Sequence, residues 1–244
     1  VKQQKNTDLS KMLIKKVLYP THIPTSPIQK GLIGIFSAFK ALNNPHRADA
    51  IASLGETTGY VALKRLRNKL ISDKDGLEIL KNRPLITNET LISYKLHELP
   101  KDTFGGAYYD FLKSHGYHPD ERNDVHYIDD EELAYIMLRY RQTHDFAHVL
   151  CGLPTTVLGE LGLKWFESVQ TGLPMCIISS LFGPLNIKDN KSDLIKLNKK
   201  LIPWALKNGY NAKPFITIQF EKELKTPLNE LREKLNIKPA PSLC

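Results

Sequence analysis

The sequence predicts an all-α fold: a single compact multi-helix domain with a metal-ligating motif on two adjacent helices. Three observations predict it. Apolar residues recur at helical spacing in one segment after another. Cap residues and helix breakers punctuate those segments at their ends. Only Phe215-Ile216-Thr217-Ile218-Gln219-Phe220 alternates as a strand does, and with no partner segment to pair with it reads as helix or loop. A chain of 244 residues that is 41 % hydrophobic can bury one sizeable core, and no repeat or low-complexity linker divides it. The expected organisation is a basic N-terminal tail, 1–18, followed by one helical domain, 19–244.

Element by element, Pro27 opens an apolar-periodic run to Leu42, and Asn44-Pro45 caps a second that carries Ile51, Leu54, Val61, Leu63, Leu66 and Leu70. Shorter segments fall near Leu77–Lys81 and Leu91–His97. Asp102 or Thr103 caps Ala107–Ser114. Asp129-Asp130-Glu131-Glu132 places acids at the positive end of a long helix that runs through Cys151. Beyond it come Thr156–Gln170, Leu173–Leu181, Ser192–Lys207 and, opened by Thr226-Pro227, Leu228–Leu235.

The long helix carries His144-Asp145-Phe146-Ala147-His148, with Glu160 twelve residues further on. Residues four apart share a helix face, so His144 and His148 can grip one divalent ion with Asp145 on the flank. Glu160 cannot join by continuing that helix, because at about 100° and 1.5 Å per residue it would lie roughly 120° round and ~18 Å away. Gly152-Leu153-Pro154-Thr155 supplies a turn, after which Thr155 or Thr156 caps a second, antiparallel helix that brings Glu160 back. Imidazole and carboxylate donors suit Zn²⁺ and other first-row divalent ions. The alternative for the His pair is hydrogen bonding inside a helical core. Cys151 reads as a small buried hydrophobe.

These residues resemble the coenzyme Q (ubiquinone) biosynthesis protein four family, whose signature is His-Asp-x-x-His, eleven residues, then Glu. His144, Asp145, His148 and Glu160 match it in full. Arg139-Tyr140-Arg141, Gly152-Leu153-Pro154-Thr155, Leu99-Pro100-Lys101-Asp102-Thr103-Phe104-Gly105 and Pro227-Leu228 are similar to the family's flanks, so the likeness runs from about Tyr19 to Ile237. It implies action on polyprenylated quinone precursors, peripheral binding at the matrix side of the mitochondrial inner membrane, and association with the other ubiquinone enzymes. Two roles follow from it: a scaffold for those enzymes, and oxidative decarboxylation at C1 of a 4-hydroxy-3-methoxy-5-polyprenylbenzoate-type intermediate. The expected metal set is His144, Asp145, His148 and Glu160, with Asp145 as ligand, as orienting partner of a histidine or as the group that moves a proton, and Asp145 and Glu160 are the expected catalytic residues. Arg141, three residues before His144, would meet an anionic head group or form a surface ion pair, while Leu150 and Leu153 would line a lipid cleft or belong to the ordinary core.

Other chemistries fit less well. The metalloprotease pattern has Glu where Asp145 stands, and the shorter acid does not reach metal-bound water as a general base. Helical His-Asp phosphohydrolases need a further upstream His and a downstream Asp, and His115, His118 and His126 do not fall into that arrangement. The non-enzymatic alternative is a lipid-binding scaffold with a structural metal.

The formal charge of +8, from 34 basic and 26 acidic residues, calls for an anionic partner. No helix-turn-helix, zinc-finger or aromatic-interleaved basic motif points to nucleic acid, so an anionic membrane surface fits better. Lys64, Arg65, Arg67 and Lys69 form one basic cluster, and Lys191, Lys196, Lys199 and Lys200 another. Leu32, Ile33, Ile35, Phe36 and Phe39 lie on an apolar helix that can rest on a bilayer, pack a homodimer or join the core. Three scattered cysteines form no paired framework. The basic opening, Lys2, Lys5, Lys11, Lys15 and Lys16 against Asp8, fits either a segment left after removal of a mitochondrial transit peptide or a solvated tail.

Overall fold

The computed structural model describes residues 16–43 and 47–243. The expected Asn44-Pro45 cap and most of the basic tail lie outside them. Every regular element among the described residues is helical, and the one β pairing there is an isolated antiparallel bridge between Thr103 and Pro227. The helices are α1 Pro27–Asn43, α2 Ala48–Thr58, α3 Tyr60–Ile71, α4 Lys74–Asn82, α5 Asn88–Ser93, α6 Phe104–His115, α7 Glu131–Cys151, α8 Val157–Thr171, α9 Pro174–Phe182, α10 Lys191–Lys196, α11 Ile202–Asn211, α12 Phe220–Glu223 and α13 Leu228–Lys234. No helix among the described residues is long and apolar enough to cross a membrane.

Helix α7 is the axis. Its 21 residues start at Asp130, whose carboxylate accepts from Leu133 N at 3.0 Å, and stop at Gly152, which takes the left-handed φ of 67° that a chain reversal requires. From Leu133 to Cys151 it is buried almost all the way round. One apolar cluster, with Leu63, Leu66, Leu70, Leu133, Ile136 and Met137, encloses its first half; a second, with Phe104, Tyr108, Phe146, Phe166 and Phe220, encloses its end.

The polar residues between those clusters are therefore buried, and each needs a partner. Arg139 donates to both carboxylate oxygens of Glu221 and to the Ile218 carbonyl. Arg141 donates to Glu56 and to the carbonyls of Ala52, Asn123 and Asp124, riveting α2 and the loop before α7 to this helix.

Two segments differ from the sequence expectation, and a third, read as helix or loop, meets it. The second apolar run is two helices, parted at Gly59, because the hydroxyls of Thr57 and Thr58 bond back to the carbonyls of Ser53 and Leu54 and Gly59 backs closely onto Gly55. The expected Ser192–Lys207 helix contains a π turn at Leu197–Leu201, just ahead of Pro203, which has no amide hydrogen to give the ladder. Phe215–Thr217 is a 3-10 turn and Phe220 begins α12, so the alternating segment is helical in character.

Candidate metal centre

The Gly152 reversal hands the chain to α8, whose first turn Thr156 caps by accepting from Gly159 N at 3.3 Å. The two helices run antiparallel: His148 meets Glu160, His144 meets both Glu160 and Glu167, and Tyr140 meets Glu167. Glu160, Lys164 and Glu167 stand at i, i+4 and i+7, one face of α8 turned toward α7.

Donor atoms of His144, His148 and Glu160 all lie within 4.8 Å of one another. Both imidazoles are aimed from behind. His144 Nδ1 lies 2.8 Å from Glu167 Oε1, and His148 Nδ1 lies 3.0 Å from the Leu153 carbonyl, so each ring donates there and presents Nε2 to Glu160. Phe111 stacks on the His148 ring with centroids 5.7 Å apart. His148 Nε2 is buried and forms no hydrogen bond, although Glu160 Oε1 is 2.9 Å away, off the line in which a ring hydrogen points. A buried acceptor nitrogen facing a carboxylate, with a second imidazole nitrogen beside them, is a donor set that a divalent cation completes. The residues present fit a metal.

The ionisation pattern follows from this crowding. Burial and the Lys164 ammonium pull the His144 pKa down, but the Glu167 and Glu160 carboxylates outweigh them and raise it to about 9. Burial works to raise the Glu160 pKa, yet its contacts with His144 and His148 hold the carboxyl well below the usual range. Glu167 is likewise held down against burial by Lys164 and His144, and Lys164 is held up against burial by Glu167. Tyr140 donates to the second Glu167 oxygen at 2.9 Å, so that carboxylate is held on both sides.

Asp145 is buried beside the site, but its carboxylate is taken by the Arg122 guanidinium and it is not among the three converging donors. Arg141, expected at a head group or in a surface ion pair, is a buried partner of Glu56 that also lines a cavity of about 250 Å³ with Arg122, His144, Glu160 and Lys164. Leu150 and Leu153 are core residues and do not line the cavities that meet Glu160; the functional contact of Leu153 is its carbonyl. A polar cavity of about 190 Å³ surrounds the donors, lined by Tyr117, His118, Arg122, Asp145 and Thr155 among others. A larger one of about 360 Å³ starts at Glu160 and Lys164 and runs between Ile51, Leu54, Leu161, Ile178 and Phe182. Glu160 stands where all three meet.

The model of the family described as coenzyme Q (ubiquinone) biosynthesis protein Coq4 matches residues 19–241. This chain belongs to that family. The rat protein named ubiquinone biosynthesis protein COQ4 homolog, mitochondrial, is 47 % identical over 226 residues, which is 93 % of this chain and 84 % of that one. The human protein of the same name is 46 % identical over 224 residues, 92 % of this chain and 84 % of its own. A crystal structure from Nostoc punctiforme, described as a "putative ubiquinone biosynthesis protein", superposes with a TM-score of 0.67 at 21 % identity, over 84 % of this chain and 97 % of that one, and so shares the fold. The family takes part in ubiquinone biosynthesis, and the relatives above from rat and human are named mitochondrial.

Sequence reasoning found the three converging donors and missed Glu167, Lys164 and Arg122. For Glu167 and Lys164 a signal was present, since both share the helical face of Glu160. Arg122 had none, because it reaches Asp145 from an irregular loop across 23 residues of chain.

Proposed function

We propose that this chain is a metal-dependent enzyme of ubiquinone synthesis that removes the C1 carboxylate of a polyprenylated 4-hydroxybenzoate-type ring and leaves a hydroxyl in its place. It works on the matrix side of the mitochondrial inner membrane and helps organise the other enzymes of the pathway. The observation that carries the reading is the position of Glu160: one residue closes the triad with His144 and His148 and stands where a polar cavity meets an apolar one. A ring bearing a carboxylate and a prenyl tail has that same division of character.

In the reaction the ring–carboxylate bond breaks and CO₂ leaves, a C–O bond forms at C1 with the oxygen of a water molecule, and the two electrons and two protons released pass to an external acceptor, dioxygen, which becomes hydrogen peroxide. A divalent ion held by His144, His148 and Glu160, Zn²⁺ or another first-row metal, supplies Lewis acidity toward the ring carboxylate or phenolate. The chain supplies the rest. Glu167 and the Leu153 carbonyl fix the two imidazoles, so the donors need no reorganisation when substrate arrives. Lys164 and Arg122 place positive charge at the cavity walls against an anionic ring. Asp145, held by Arg122 at the edge of the polar cavity, is positioned to take a proton from a ring hydroxyl. The first isoprene units lie between Ile51, Leu54, Leu161, Ile178 and Phe182, a wall that replaces Leu150 and Leu153 in that role.

The scaffold reading with a structural metal requires a closed shell of four protein ligands. Among the described residues three donors converge here; Glu167 is taken up by His144 Nδ1, Tyr140 and Lys164, and Asp145 by Arg122. An ion held by three protein donors would leave room for substrate, which supports the catalytic reading. The test is metal analysis of the purified protein together with mass spectrometry of product formed from a C1-carboxylated prenyl substrate, before and after chelation. Turnover that is unaffected by complete metal removal would exclude the reading.

A further inference from the structure

Helix α1 is inverted relative to a helix that belongs to a core. Its small and polar side, with Gly34 and Ser37 buried and Ala38 and Ala41 half-buried, faces inward. A Cβ at Gly34 would come within 3.1 Å of Thr57 Oγ1, so α1 and α2 approach as closely as glycine allows. Its large apolar residues face outward: Ile28, Leu32, Ile35, Phe36 and Phe39 are each between 51 % and 77 % exposed. At about 100° per residue they fall within a sector of roughly 100°, a single stripe along the helix. A surface helix of a globular protein turns such a stripe to the core.

We infer that this face of α1 docks on a lipid bilayer, with the helix in the plane of the membrane and the five side chains among the acyl chains. Charge argues for lipid: no charged residue interrupts the stripe, and the sequence leading to α1 carries Lys2, Lys5, Lys11, Lys15 and Lys16 against Asp8, a match for anionic head groups.

Continuity argues the same way. Ala41 near the end of α1 and Phe182 at the end of α9 both line the apolar cavity that reaches Glu160 and Lys164. Phe182 is itself exposed, as are its neighbours Leu181 and Leu185. Resting on the function proposed above, a prenyl tail would therefore pass from the bilayer along α1 into this cavity without crossing water.

The test is flotation of the full chain with phosphatidylcholine vesicles that contain cardiolipin. Wild type floats, and Phe36→Asp with Phe39→Asp lowers the bound fraction at least about tenfold. Ile92→Asp, at an exposed apolar residue on α5, changes nothing. Glu160→Gln floats as wild type does, so failure of the docking surface and failure of the metal-enzyme reading show separately. If the double variant loses its helical circular dichroism, Phe39→Trp replaces it, and brominated acyl chains must quench its fluorescence. Wild type that stays with the protein fraction, a double variant that floats normally, a Trp that escapes quenching, or light scattering in which the double variant turns a dimer into a monomer while flotation persists would each overturn the inference.

Discussion

Glu167 Oε1 accepts from His144 Nδ1 at 2.8 Å, and that contact aims the other ring nitrogen at Glu160, 3.6 Å away. A carboxylate behind a metal-binding histidine fixes its tautomer and orientation and raises its basicity. Glu167→Gln should therefore lower divalent-metal affinity by roughly 10- to 100-fold while the helical content stays unchanged. Isothermal titration of the stripped protein with Zn²⁺ measures this, and an unaltered affinity would show that the contact is structural only.

The proposed ligands themselves should show larger effects. His144→Ala or His148→Ala should leave substoichiometric metal in a chain that still unfolds cooperatively, because the two apolar clusters that hold α7 include neither histidine. Elemental analysis of the purified variants decides; full occupancy in both would remove the assignment.

Much of this was legible in the sequence. The limits of α7 follow from Asp130 and Gly152, and the turn that brings Glu160 to His148 follows from a glycine, a proline and a capping threonine. Spacing could not say where Asp145 points. On a helix buried all round, the partner of each polar side chain is set by the loops and helices packed against it, and Arg122 comes from one of those loops. The inward side of α1 was illegible for a related reason. Periodicity locates an apolar stripe but does not say that Gly34, Ser37 and Ala41 on the other side would win the contact with α2.

In the metal-free protein, stability should depend on pH through His144. Its pKa, raised to about 9, lies above the unfolded value near 6.5, so its contribution is fully present below about pH 6.5 and is lost as pH rises through 9. The lowered carboxyls of Glu160 and Glu167 act in the opposite direction: their contribution is present above about pH 4.5 and falls away in acid. Thermal melts of stripped protein should reach their maximum between these limits, with a loss on the order of 3 kcal/mol from pH 6 to pH 10 assignable to His144. His144→Ala should flatten the alkaline limb; an alkaline limb of undiminished slope in that variant would contradict the assignment.

A separate prediction concerns the fold alone. Arg139 is fully buried and its guanidinium is gripped by both oxygens of Glu221 at 2.7 and 3.1 Å. Glu221→Ala strands that charge and should cost about 3–5 kcal/mol, whereas Arg139→Met combined with Glu221→Leu should cost much less, because no uncompensated charge remains. Urea unfolding of the two variants makes the comparison, and equal losses would mean that the ion pair itself, rather than the desolvated charge, sets the cost.

In the proposed function the triad serves chemistry rather than architecture. Its most direct test is Glu160→Gln, which keeps side-chain size and packing but removes a charged donor at the junction of the cavities. Conversion of a C1-carboxylated, prenylated substrate to its hydroxylated product by the purified variant should fall at least about 100-fold, while prenyl-lipid binding and co-purification of the other ubiquinone enzymes stay within about twofold of wild type. Turnover retained at the wild-type rate, or assembly lost in step with turnover, would contradict the catalytic account and make the metal centre structural.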